Sequence, residues 1–252
     1  MDSAVLAAII TAAFALLVAL YTQRGQFKHG KELVVLKDHL DAESRHQERK
    51  LSARAELDNI REPLLTAAED LQHRIWNIRK NHFLDYLQIA DSHRREVALF
   101  GTLHRFATYW ALQELLYSRT NILRFESDPD TKNVAELVGK IAQICASDST
   151  AGLDLIFWRE EQRAVAELMF DMRSASPVPP IMGFATFRNR YDEDTRREVA
   201  EDLAFWLGSF AKDLQTTGVN ENRRLKELDE GLTGLIKALR QGRADCPDTG
   251  YQ

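Results

Sequence analysis

Proline and glycine are scarce in this chain of 252 residues, which holds six and twelve of them. Average usage is about 5% and 7%. Three of the prolines (Pro177, Pro179 and Pro180) fall within four residues, so the remainder is nearly free of helix breakers. That excludes a β sandwich with a turn every few residues. Cysteine is rarer still: Cys145 and Cys246 exclude a multi-bridge framework and a cysteine-rich zinc site. Positive charge is not in excess either. A net charge of −5 excludes a nucleic-acid binder held by a global positive field. Glycine-rich phosphate loops, Gly-x-Ser-x-Gly, His-Glu-x-x-His, Cys-x-x-Cys and calcium-loop patterns are missing as well. What is present is 44% hydrophobic and 28% charged residues, too apolar for wholesale disorder. An all-α protein is expected.

The mean hydropathy of −0.35 averages over one segment of a different kind. From Ser3 to Gln23 no residue is charged, and the centre reads AVLAAIITAAFALLVALY. About 20 residues rising 1.5 Å each cross a hydrocarbon core of roughly 30 Å. A signal peptide asks for a basic leading region and a shorter apolar core. Only Asp2 precedes the run, and no cleavage stop interrupts it before Tyr21. A retained single transmembrane helix over 1–23 is therefore expected. Arg24, Lys28 and Lys31 follow it directly. The positive-inside bias then puts the N-terminus outside and the long C-terminal part on the cytoplasmic face of the cell membrane. A reducing cytoplasm suits two unpaired cysteines. Small residues four apart, Ala7, Thr11, Ala15 and Ala19, form a ridge on which two anchors can pack, though alanine is common in such helices anyway.

Residues 24–61 hold nine Lys or Arg and seven Asp or Glu. Apolar residues cluster at Leu33–Leu36 and Leu40 and then thin out, too briefly for a sustained heptad seam. A solvated helical stalk, paired over part of its length, is expected here. A helical bundle follows over 62–241, opening with Pro63 in a first-turn position. Leu64, Ala68, Leu71, Ile75 and Ile78 make one apolar stripe. The segment from Ser92 to Phe125, uncharged between Arg105 and Glu114, reads as the central helix. Asn133 with Glu136 and Thr195 with Glu198 read as capping boxes. Leu153–Phe157 reads as a strand or the buried start of a helix, and 174–183 as a loop. Leu225, Leu228, Leu232, Leu235 and Leu239 form a packing seam. About six helices result, with a disordered tail over 242–252. Trp76, Trp110 and Trp206 are expected as core anchors.

Chemistry is sparse. Seven histidines invite a metal search, but a di-iron site needs two Glu-x-x-His pairs on facing helices. The one such pair, Glu43 and His46, lies in the stalk. No metal, cofactor or catalytic residue is expected. The densest polar run is Trp158–Arg163, where Arg159 and Arg163 project together four residues apart. Two arginines on one face suit a carboxylate or phosphate. An ion pair with Glu167, four residues on, is the plainer reading of Arg163.

Three segments, and with them the closing leucine-rich helix from Arg224, resemble a mainly bacterial family of helical proteins with no established activity. Glu62–Ile78 is similar to the family's R-D-P-L-L-x-A-A-x-D-L-Q-x-R-L-x-N-I opening. Arg159–Ala164 resembles its R-G-E-Q-R-A segment, and Gly183–Phe187 its G-Y-A-x-F. The likeness covers about residues 60–240. Glu62 stands in place of the family's Asp, and Glu160 in place of a Gly. The resemblance implies a recurring helical fold, often tethered to a membrane. Its most recognisable polar residues, Asp70, Arg74, Arg159, Glu161, Gln162 and Arg163, are expected to form one buried network. A cytoplasmic interaction or sensor domain is the first functional expectation. A small-ligand or lipid-headgroup module using Arg159 and Arg163 is the second, and an enzyme with dispersed catalytic residues the third.

Overall fold

The computed structural model describes residues 3–88, 91–119, 128–170, 179–195 and 203–244. Side chains at 3–13, 17–34, 119, 150–151, 193–195 and 242–244 lie outside the description. All the regular structure described is helical: α1 (Ser3–Asn81), α2 (Ser92–Arg119), α3 (Pro129–Ala146), the single turn α4 (Asp148–Ala151), α5 (Arg159–Met169), α6 (Phe184–Thr195), α7 (Leu203–Asp213) and α8 (Arg223–Ala244). Isolated bridge residues are the nearest approach to a strand: Phe170 pairs antiparallel with Ile181, and Leu153 is another.

The chain divides into two units, Met1–Arg49 and Lys50–Gln252. The first is the leading part of α1. Val35, Leu36 and Leu40 are exposed there, and side chains bond along the helix, as Arg45 does to the Asp41 carbonyl and Gln47 to Glu43. Among the described residues no helix is long and apolar enough to cross a membrane. Of the span expected over 1–23, residues 1–2 lie outside the description, as do all the side chains except those of Phe14, Ala15 and Leu16.

The second unit is a helical domain whose core runs from Leu57 to Leu239. It starts at Lys50, and Ala53, Leu57, Ile60 and Arg61 are buried, so the last turns of the 24–61 segment belong to the folded domain. Helix α2 is its centre. From Leu103 to Leu116 ten of fourteen residues are buried, because α2 is walled by α5, α6 and α7 and by the turn at Phe83–Gln88. Helix α8 lies against α3 and runs antiparallel to the end of α1. Arg61 Nη1 donates to the Leu239 carbonyl, Gln72 to Thr233, and Arg79 meets Asp229 at 2.6 Å.

Several local expectations change. Pro63 is interior to α1 rather than opening a helix. An interior proline costs about 3 kcal/mol, and burial of Ile60, Arg61 and Leu64 on either side carries the helix through it. Helix α3 starts at Pro129, ahead of Asn133. Its cap is Asp128, which accepts from the Thr131 N–H at 3.1 Å and the Thr131 hydroxyl at 2.7 Å. Thr195 closes α6 instead of opening a helix, and Glu198 lies outside the described residues. Leu153–Phe157 is neither strand nor helix. Trp110 is a core anchor, Trp206 is half-buried, and Trp76 is 48% exposed.

Asp128 is only 4% exposed and satisfies two donors at the start of α3. Asp128→Ala is expected to cost about 1–2 kcal/mol in urea unfolding, whereas Asp128→Asn recovers most of it. An alanine variant with an unchanged urea midpoint would refute the cap.

Candidate functional site

The six polar residues of the expected network divide between two places. Arg159, Glu161, Gln162 and Arg163 open α5. The Glu161 carboxylate accepts from the Trp158 N–H at 2.7 Å, which closes the first turn of the helix. Burial raises the Glu161 pKa above its ordinary value, while that N–H lowers it and Glu160 raises it further. Gln162 is 1% exposed and well satisfied. Its amide nitrogen donates to the carbonyls of Phe157 and Ala142, and its oxygen accepts from Gln113 of α2. Arg159 donates to the Gly139 carbonyl at 3.0 Å and bonds Tyr117. Arg163 reaches Glu114 of α2 at 3.6 Å, so its partner is across the helix pair and not Glu167. The α5 group is thus a set of joints among α2, α3 and α5, with its arginines engaged.

Asp70 and Arg74 belong to the other place. Ala67, Asp70 and Arg74 share one face of α1, because their spacing of three and four residues returns to the same side of a helix. On α2, Val97, Gly101, His104, Arg105 and Thr108 share a face in the same way. The two faces and Phe184 at the start of α6 enclose a hollow of about 310 Å³. No residue of the α5 group lines it.

Arg74 is 8% exposed, and its guanidinium carbon lies over the Phe83 ring, 3.9 Å from the centroid. Its Nε and Nη1 are buried and have no hydrogen-bond partner among the described residues. Burial first, and then the charge of Arg105, pull its pKa down to about 10, against the pull of Asp70. At neutral pH it remains a cation. Arg105 Nη1 donates to the Asp70 backbone carbonyl at 2.9 Å, holding the two helices together at the edge of the hollow. His104 Nε2 lies 2.8 Å from the Met182 carbonyl, and both Phe184 and Phe187 set their rings edge-on to it. A carbonyl can only accept, so Nε2 carries the proton. Burial lowers the His104 pKa below its ordinary 6.5, which keeps the ring neutral at pH 7.

Sequence reading singled out Asp70 and Arg74 but missed Gly101, His104, Arg105 and Thr108. Their common helix face was the available signal. Arg224, also missed, is the most heavily bonded side chain of the domain, though its role is to hold the fold. Cys145 is buried and unpaired, and burial pushes its thiol up to about 11. Among the described residues no three His, Cys, Asp or Glu side chains gather as a metal site. Compared with protein-family models, with curated proteins and with solved structures, the chain finds no match in any of the three.

Proposed function

We propose that this protein is a membrane-tethered helical interaction or sensor module whose folded domain faces the cytoplasm. The observation that carries the reading is the uncharged apolar run from Ser3 to Gln23 with Arg24, Lys28 and Lys31 directly behind it. That run is long enough to span a bilayer, and its flank sets the orientation. Phe14 and Leu16, the large residues described within it, are 69% and 64% exposed. A hydrocarbon surrounding removes that apolar area from water. The ridge of Ala7, Thr11, Ala15 and Ala19, with the exposed Val35, Leu36 and Leu40, favours pairing of two copies through anchor and stalk. The resemblance over residues 60–240 to a family often tethered to membranes points the same way.

A ligand site on Arg159 and Arg163 draws less support, since one bonds Gly139 and Tyr117 and the other pairs with Glu114.

Fractionation tests the proposal. The full chain, expressed in bacteria, should pellet with membranes through a carbonate wash. A chain lacking residues 1–23 should appear in the soluble fraction. Protease added outside spheroplasts should spare the domain. A soluble full-length protein would overturn the tether, and an outside-cleaved domain would overturn the orientation.

A further inference from the structure

The hollow between α1 and α2 contains an energetic anomaly. A buried polar donor without a partner costs about 1–3 kcal/mol, more when charged, and native structures keep few of them. Arg74 buries two such donors, Nε and Nη1, at one point. The ring of Phe83 beneath the guanidinium gives cation–π attraction but accepts no in-plane hydrogen bond. Asp70 is close enough to raise the Arg74 pKa, but its carboxylate makes no bond to those nitrogens among the described residues. The fold has therefore brought a cation into a concave, partly apolar space and left its hydrogen-bonding capacity open.

Charge and shape narrow what fits. The walls carry the guanidiniums of Arg74 and Arg105 against the one carboxylate of Asp70. His104 is neutral, with its proton committed to the Met182 carbonyl. The balance is one positive charge, which matches a monoanion. Ala67, Val97 and Phe184 offer apolar surface for an attached body. At about 310 Å³ the space is at the lower end of the roughly 300–1,000 Å³ typical of small-molecule sites. Gly101 keeps it open: a Cβ there would stand in ordinary contact, 3.6 Å from Arg74 Nη2, and a longer side chain would extend into the space.

We infer that the hollow lined by Arg74, Arg105, Gly101, His104 and Phe184 is a binding site for a small organic carboxylate, with Arg74 as its principal anchor. Arg74 Nη2, the nitrogen that lies beside Gly101 on the wall of the hollow, is the donor the carboxylate meets, and the aromatic and aliphatic walls take the apolar part. This goes beyond the tethered-module reading and does not depend on it, because every lining residue lies within the Lys50–Gln252 unit.

The test is calorimetric titration of the full chain with sodium benzoate, and separately with inorganic phosphate, at pH 8 and constant ionic strength. Two variants accompany it. Arg74→Met removes the anchor but keeps an apolar stem over Phe83. Gly101→Leu fills the space, and replacing an interior helical glycine by leucine favours the helix itself. Benzoate should bind the native chain and bind each variant at least about tenfold more weakly, the worth of a hydrogen-bonded charge. Phosphate, largely a dianion at that pH, should bind the native chain more weakly than benzoate. Equal benzoate affinity in the native chain and Gly101→Leu would overturn the site even if Arg74→Met failed to fold. Binding of neither anion would overturn it outright, and tighter binding of phosphate would overturn the carboxylate assignment. None of these results bears on fractionation, so the two proposals fail separately.

Discussion

Arg224→Ala is expected to lower the stability of the domain by at least about 4 kcal/mol, or to prevent folding altogether. The Arg224 side chain is fully buried and faces backbone oxygens. Nε donates to the Asp154 carbonyl, Nη2 to Gly152, and Nη1 shares its hydrogens among Ile144, Cys145 and Ser147. Those oxygens close the C-terminal end of α3 and the turn after α4, where a helix leaves its last carbonyls unpaired. A cation there also meets the negative end of the helix dipole. Burial draws the Arg224 pKa below its ordinary value, with Cys145, Glu227, Asp154 and Asp148 pulling back. Removing the side chain takes the donor from the part-buried carbonyls of Ile144, Ser147, Gly152 and Asp154, at up to about 1–3 kcal/mol each, while the Cys145 carbonyl keeps the Phe157 N–H. That sum rivals the typical whole-domain stability of roughly 5–15 kcal/mol. Urea unfolding followed by circular dichroism reads the loss. Arg224→Lys keeps the charge but not the planar five-donor fork, and should recover less than half of it. An alanine variant within about 1 kcal/mol of the native chain would sink the clasp.

The second large effect lies in the aromatic cluster. Trp110→Ala should cost about 3–5 kcal/mol, the range for removing a large buried ring. Trp110 is fully buried and stacks on Phe157 with centroids 4.1 Å apart and planes 8° from parallel. Phe210 presents its edge to Phe106, Trp110 and Phe157 at 4.9 to 5.8 Å. One ring therefore joins α2, the segment before α5, and α7. Trp110→Phe should lose clearly less, because a ring remains to stack. The midpoint should shift while the slope with denaturant stays fixed, which marks lost stability rather than a changed unfolded state. A midpoint unmoved by Trp110→Ala would show that the site repacks.

Strong periodicity made part of this architecture legible. The leucines from Leu225 to Leu239 are all buried, as their three-four spacing requires, and α2 is the central helix that its uncharged stretch implies. Weak or conflicting local signals hid the rest. Helix α6 carries Arg188, Arg190, Asp192 and one fully buried residue, Phe187, so no stripe announced it. Pro63 read as a beginning because local propensity cannot show that packing on both sides outweighs it. Arg224 stands beside Arg223 at the head of the leucine seam. Its spacing of four from Leu228 and eight from Leu232 was the missed clue: it stands on the buried stripe. Arg61 stands four residues from Leu57 in the same way, and Arg74 three from Leu71. An arginine in register with a core stripe needs acceptors inside the domain, and Arg61 and Arg224 find theirs in backbone carbonyls. Arg74 finds none among the described residues, and that difference was invisible until the structure placed the neighbouring helices.

The pairing of α1 with α8 also fixes an order of events in the life of the chain. Arg61 finds its carbonyl partner 178 residues later, at Leu239. At a synthesis rate of roughly 5–20 residues per second, about 9–36 s separate the emergence of the two. Throughout that interval Leu57, Ile60 and Leu64 have no finished α8 to cover them. Whatever assembles earlier, the domain closes only when α8 arrives, so a chain that stops before Leu225 lacks the buried leucine seam and has an open apolar flank.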